Sequence, residues 1–191
     1  MLKRKILALL TAGTIVSVMS VNVLTTHADE ITDIEQVNTL EEVDKSLLEG
    51  CISYAEADSE CANVDMQSLK GRNYSLALAN AKDVVNNDVT QLIVNRTLTK
   101  LQVAVDFIKF SSTEEKESNV SGVDKSELKD FIAFAETYGS YPEGTWGWDY
   151  YRHQLNEAKK ILDNPNVEQA DIDVAFDNLY DALSDLLSDN L

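Results

Sequence analysis

From residue 43 onward, apolar side chains recur every three to four positions, the spacing that lines one face of an α-helix. In the C-terminal half Leu128, Phe131, Ile132 and Ala135 form one such stripe. Trp148, Tyr151, Leu155, Ala158 and Leu162 form a second, and Ile172, Ala175, Phe176, Leu179, Ala182, Leu183 and Leu186 a third. Asp124 stands before Lys-Ser-Glu127, an N-cap with an acid at the third helical position. Gly139 to Gly144, with Pro142, breaks the chain, Thr145 can cap the next helix, and Asn164-Pro165-Asn166 makes the following turn. The first half predicts helices over approximately 44–58, 67–86 and 90–109. Residues 111–122 hold no apolar side chain before Val120 and read either as a linker or as a polar turn continuing one helix into the next. Residues 29–42 are acidic and poorly periodic, a flexible lead.

The two halves are copies of each other. Val43-Asp44-Lys45-Ser46-Leu47-Leu48 returns as Val123-Asp124-Lys125-Ser126-Glu127-Leu128, and Ile52-Ser53-Tyr54-Ala55-Glu56 returns as Ile132-Ala133-Phe134-Ala135-Glu136. Leu78, Ala81 and Lys82 then match Leu155, Ala158 and Lys159, and Leu101, Ala104 and Val105 match Leu179, Ala182 and Leu183. Three amphipathic helices joined by short turns bury their stripes most simply as an antiparallel bundle. The expected fold is therefore all-α, with two tandem three-helix antiparallel bundles at 43–110 and 123–191. Two prolines and seven glycines fit long helices better than a turn-rich β-sandwich.

The first 28 residues read differently. Lys3, Arg4 and Lys5 precede a largely apolar run from Ile6 to Leu24, and Thr26-His27-Ala28 has the small residues of a cleavage site. This is the pattern of a secretory signal peptide; the alternative is a retained anchor, since the run is about long enough to span a bilayer. Cleavage removes three basic residues and no acids, taking the net charge from −17 to −20. Such a surface repels phosphate backbones and anionic lipid. Nucleic acid is excluded as a partner, and with no second apolar span or basic C-terminal tail no stable membrane insertion is expected after cleavage.

The second copy resembles the FIVAR module of secreted and wall-associated proteins, mostly of Gram-positive bacteria. The resemblance rests on Lys125-Ser126-x-Leu128, on Trp148-x-x-Tyr151-x-x-x-Leu155-x-x-Ala158-Lys159, and on Asn164-Pro165-Asn166-Val167-x-Gln169 with Ala175, Leu179 and Ala182. It covers roughly 123–188. The first copy departs from it: Gly71 stands where Trp148 does, residues 87–91 replace the Asn-Pro-Asn turn, and Cys51 replaces Phe131. The resemblance implies a spacer, stalk or recognition module, secreted or extracellular, with no catalytic residues to carry over.

Little catalytic chemistry is available. The chain after residue 28 has one histidine, His153, which excludes multi-histidine metal sites and leaves one candidate for a Ser-His-Asp arrangement. Glycine-rich phosphate loops and Cys-x-x-Cys pairs are missing. A hydrolase would need two carboxylates converging in a cleft, which a small bundle rarely offers. The reading is non-enzymatic, with no cofactor and no metal site. Cys51 and Cys61 align with Phe131 and Tyr141, so a disulfide replacing an aromatic contact is expected, the alternative being two free thiols.

Two surface features remain as candidate sites. Asp173, Asp177, Asp181, Asp185 and Asp189 recur every fourth residue, opposite the core stripe of their helix. They form either a solvated face or a docking face for a cationic partner; singly spaced carboxylates lack the convergent oxygens of a calcium loop. Trp146, Tyr150, His153 and Glu157 cluster away from the Trp148 stripe, with Leu69, Asn73, Leu76 and Asn80 as their first-copy counterparts. The rings either pack on the loop around Tyr141 or the neighbouring module, or form a recognition strip of Trp146, Tyr150 and His153. The chain is thus read as a secreted interaction or spacer protein whose partner is an extracellular protein or a glycan, with carbohydrate recognition through the exposed aromatics as the alternative.

Overall fold

The computed structural model describes residues 43–110, 123–139 and 144–188. The segments read as a signal peptide (1–28), an acidic lead (29–42) and a linker or polar turn (111–122), together with Tyr141 and Asp189, lie outside the described residues. Among those described the secondary structure is helical, with no strand: α1 (Ser46–Ala57), α2 (Ser59–Ala62), α3 (Leu69–Asn86), α4 (Gln91–Lys109), α5 (Ser126–Glu136), α6 (Trp148–Asp163) and α7 (Gln169–Ser188). Six of these are the helices expected from periodicity. The seventh, α2, is one turn capped by Asp58, whose Oδ1 accepts from the backbone N–H of Glu60 and Cys61.

The duplication is repeated in the polar contacts. Asp44 and Gln91 exchange two hydrogen bonds (2.9 and 3.1 Å), and so do Asp124 and Gln169 (2.8 and 3.3 Å). Lys45 Nζ donates to the carbonyls of Val85 and Asn87 at the end of α3; Lys125 Nζ does the same for Leu162 and Asn164 at the end of α6. A cation there meets carbonyls that lack an intrahelical partner and faces the negative end of the helix dipole. The hydroxyl of Tyr74 donates to Ala55 O at 3.0 Å, that of Tyr151 to Ala135 O at 2.6 Å. Ion pairs Lys82–Glu56 (2.7 Å) and Lys159–Glu136 (2.5 Å) occupy matching places. Each module is thus tied by one set of latches across its three long helices.

The modules are joined through a shared core. Phe107 of α4 packs against Phe131 and Phe134 of α5 and Phe176 of α7, with ring centroids 4.8, 5.5 and 5.8 Å apart. Phe131 in turn meets Phe176 at 4.6 Å and Tyr180 at 6.0 Å. All five side chains are buried. Fully burying one such ring contributes about 1.5–3 kcal/mol, so the cluster dominates the energetics of the seam. Lys100 pairs with Asp181 while Phe107 meets Phe176, so α4 and α7 run antiparallel. The starts of α1, α4 and α6 therefore share one end of the molecule.

One local expectation needs correction, and one sequence difference gains an explanation. Thr145 does not cap α6: the helix opens at Trp148 behind Gly147, which takes φ 80°, and Thr145 contributes its carbonyl to Trp148 N. Glycine fits there because a left-handed turn strains other residues, and because its α-carbon face lies against the Leu186 backbone, 3.5 Å from where a Cβ would sit. Gly71 stands in the place of Trp148 for a steric reason. A Cβ at Gly71 would fall 2.0 Å from Asp65 O, so the chain leading into α3 fills the space that a ring would need.

Candidate functional site

The acidic row of α7 meets the first module. Asp173 pairs with Arg72 at 2.9 Å, Asp177 accepts from Asn73 Nδ2 at 3.1 Å, and Asp181 pairs with Lys100 at 2.8 Å. The Tyr180 hydroxyl donates to Lys100 O beside them, and burial holds its pKa far above the usual phenol value. Glu127, expected to serve as a capping-box acid, reaches across instead and accepts from Leu69 N at 2.5 Å, at the start of α3. Asp185 is half-buried further along α7. Periodicity placed these carboxylates on one face, and the groups that meet Asp173, Asp177 and Asp181, two cations and one amide, belong to the chain itself. Arg72, Asn73 and Lys100 had no signal in one sequence, because their partners are about 80 to 104 positions away. Exposed ion pairs contribute at most about 1 kcal/mol each, so this row sets register more than strength.

The aromatic strip lies at the start of α6. Trp146 is 75% exposed and Tyr150 49% exposed, and His153 is exposed one turn on. Trp146 precedes the helix, so the Gly147 turn directs its ring, not a helical row. From Tyr150 the row continues through Gln154, Glu157 and Ile161, which form one wall of a shallow groove of about 310 Å³. Asp171, Val174 and Asn178 of α7 form the other wall. Lys160 donates to Glu157 at 2.6 Å and holds its carboxyl below the usual range. The strip and the groove together present two flat rings, two apolar side chains on each wall (Ala158 and Ile161, Val174 and Ala175) and several amide and carboxylate groups. They bring no nucleophile and base together.

The first-module counterparts of Trp146 and Tyr150 are placed differently. Leu69 is buried at the seam and its N–H is bonded to Glu127, while Asn73 bonds Asp177. The position that is open in the second module thus holds a neighbouring helical module in the first.

The expected Cys51–Cys61 disulfide is not formed in this structure: both cysteines stand as unbridged thiols, Cys51 half-buried on α1 and Cys61 buried on α2. Lys109 bridges the same corner, donating to Asp58 Oδ2 at 2.6 Å and to the Tyr54 hydroxyl. The Lys109 hydrogen bond, helped by the Cys61 N–H, lowers the Asp58 pKa to about 2. Among the described residues no group of three His, Cys, Asp or Glu side chains is placed to hold a metal ion, and no helix is long and apolar enough to cross a membrane.

No solved structure matches the chain. Residues 124–187 match the family model of the FIVAR domain, a non-catalytic module found in extracellular and cell-wall proteins, and that segment, built of α5, α6 and α7, is a FIVAR-like helical module.

Proposed function

We propose that the protein is a secreted, non-enzymatic interaction and spacer protein of two FIVAR-like modules, acting at or near a cell wall. The two modules act as one body, and the surface that meets the partner is the Trp146, Tyr150 and His153 strip with its adjoining groove. The observation that carries this reading is the use of the same repeat position in the first module. Leu69 and Asn73 there hold a protein module, and their counterparts Trp146 and Tyr150 are exposed. Two large rings exposed beside a groove with apolar side chains on both walls make a larger apolar patch than a single exposed residue does, and such patches mark interaction sites. The chain's net charge of −17 favours a neutral or cationic partner.

A second reading, carbohydrate recognition, is favoured by the flat rings beside the polar groove wall of Gln154, Glu157 and Asn178. Aromatic faces suit sugar rings, and amides and carboxylates suit their hydroxyls. Co-sedimentation of the full chain with isolated cell walls separates the two. Binding lost after protease treatment of the walls supports a protein partner; binding lost only after glycan hydrolysis supports carbohydrate. In either case Trp146→Ala with Tyr150→Ala should weaken binding at least about tenfold, the loss of one or two anchor side chains. Undiminished binding by that double variant would end both readings of the strip.

A further inference from the structure

We propose that Cys51 and Cys61 close an intramolecular disulfide that pins the single-turn helix α2 to α1, formed by exchange with a disulfide-bearing oxidant. The two cysteines are the only ones in the chain. They lie on consecutive helices separated by one residue, Asp58, whose extended backbone (ψ 127°) turns α2 away from the axis of α1. Both belong to the same core, Cys61 within it and Cys51 packed against it. Helix α2 packs against both α1 and α4, so the two cysteines line neighbouring helices of one corner; burial is the main cause of the raised Cys51 pKa, with charge at Cys61 a minor one.

The corner they share has a structural need for a link. In the second module the place of Cys51 is taken by Phe131, fully buried among Phe107, Phe134 and Phe176. The one phenylalanine buried in α4 of the first module, Phe107, packs against those second-module rings. The α1–α2 corner holds two sulfur atoms, the small side chain of Ala55 and the Tyr74 ring, with the α2 turn fixed by Asp58 and by the Lys109 link from α4 to Asp58 and Tyr54. A four-residue helix has little stability of its own. A covalent bond would hold it where aromatic packing holds the second module.

The chemistry balances by two exchanges. Cys51 is the half-buried thiol and reacts first: its thiolate attacks the oxidant's disulfide, forming a mixed disulfide and releasing one thiol. The Cys61 thiolate then attacks the Cys51 sulfur and expels the second thiol. Two protein thiols lose two protons and two electrons, and one oxidant disulfide becomes two thiols. Burial, the main cause, raises both cysteine pKa values to about 11, so the thiolate fraction is small near neutrality and the reaction is slow.

The test uses the purified full chain in a glutathione redox buffer and does not depend on where the protein is exported or what it binds. The expected product is a monomer that has lost both free thiols, contains a Cys51–Cys61 cross-linked peptide by mass spectrometry, and melts about 5–10 °C higher than the reduced protein. Its rate of formation should rise several-fold from about pH 7 to about pH 8 as thiolate accumulates. Cys61→Ser should stop at the mixed disulfide on Cys51, with no gain in melting temperature. Persistent glutathione on Cys51 of the parent chain, disulfide-linked dimers, or two thiols that still alkylate at oxidising equilibrium would each overturn the proposal. Peptide mapping of the parent chain decides the matter even where the serine variant fails to fold.

Discussion

Phe107→Ala is the most informative single change. The side chain leaves α4 of the first module, is 2% exposed, and packs against Phe131, Phe134 and Phe176 of the second. Lys70 Nζ also lies 4.2 Å from its ring centroid. Truncating a buried phenylalanine costs about 3–5 kcal/mol through lost transfer energy and the cavity left behind. Edge and tilted ring pairs add about 0.5–1.5 kcal/mol beyond area, although these terms overlap. Against a total stability of about 5–15 kcal/mol the loss is large. At about 2–4 °C per kcal/mol for a chain of this size, melting should fall by about 10 °C. Leu48→Ala is the control: Leu48 is fully buried in α1, and its loss costs a similar about 2–5 kcal/mol within one module. Hydrogen exchange read by mass spectrometry tells the two apart. Phe107→Ala should speed exchange in α5 and α7 as well as in α4, because the cavity opens between the modules. Leu48→Ala should act first on α1, α3 and α4. Unchanged protection of α5 and α7 in Phe107→Ala would refute the claim that the aromatic cluster couples the two bundles.

Two further changes test local arguments. Asp58 has a folded pKa of about 2, below its ordinary 3.8, so its contribution is complete above about pH 4 and is lost as pH falls towards 2. Asp58→Asn keeps an acceptor for the Glu60 and Cys61 N–H groups and removes the charge that meets Lys109, so the melting temperature should depend less on pH across that window. Parallel acid profiles for parent and variant would show that the pair does not govern this step. Gly71→Ala should destabilise by about 1–2 kcal/mol by denaturant titration, although alanine favours a helix by about 1 kcal/mol, because its Cβ would sit 2.0 Å from Asp65 O. A stabilised variant would mean that the backbone at Asp65 and Met66 yields easily.

What one sequence discloses here follows from the range of the interactions concerned. The stripe Ile172, Phe176, Leu179, Leu183 and Leu186 is legible because burial imposes a period of 3.6, and each of these side chains is buried. The latches of Lys45 and Lys125 belong to repeated sequence, so the duplication pointed to their equivalence before any contact was known. Helix α2 was not legible, since a single turn carries too few residues for a period and depends on the Asp58 cap and on packing against α4. Thr145 failed as a cap because a neighbouring glycine with φ 80° starts the helix later than residue preference alone suggests.

The acidic row marks the deeper boundary. A helical wheel sorts α7 into apolar and acidic faces, and it treats the acidic one as facing water. In the folded chain that face meets Arg72, Asn73 and Lys100, while Phe176 and Tyr180 beside it enter a core supplied from both modules. Charge on a helix face therefore reports only that the face is not in its own module's core. Whether water, a partner or a second copy of the same fold covers it depends on groups far away in sequence. The same reasoning applies in reverse to Trp146 and Tyr150. Their first-module counterparts, Leu69 and Asn73, show that this edge of the three-helix unit can seat a neighbouring module. In the second module the rings of Trp146 and Tyr150 stand exposed at that edge.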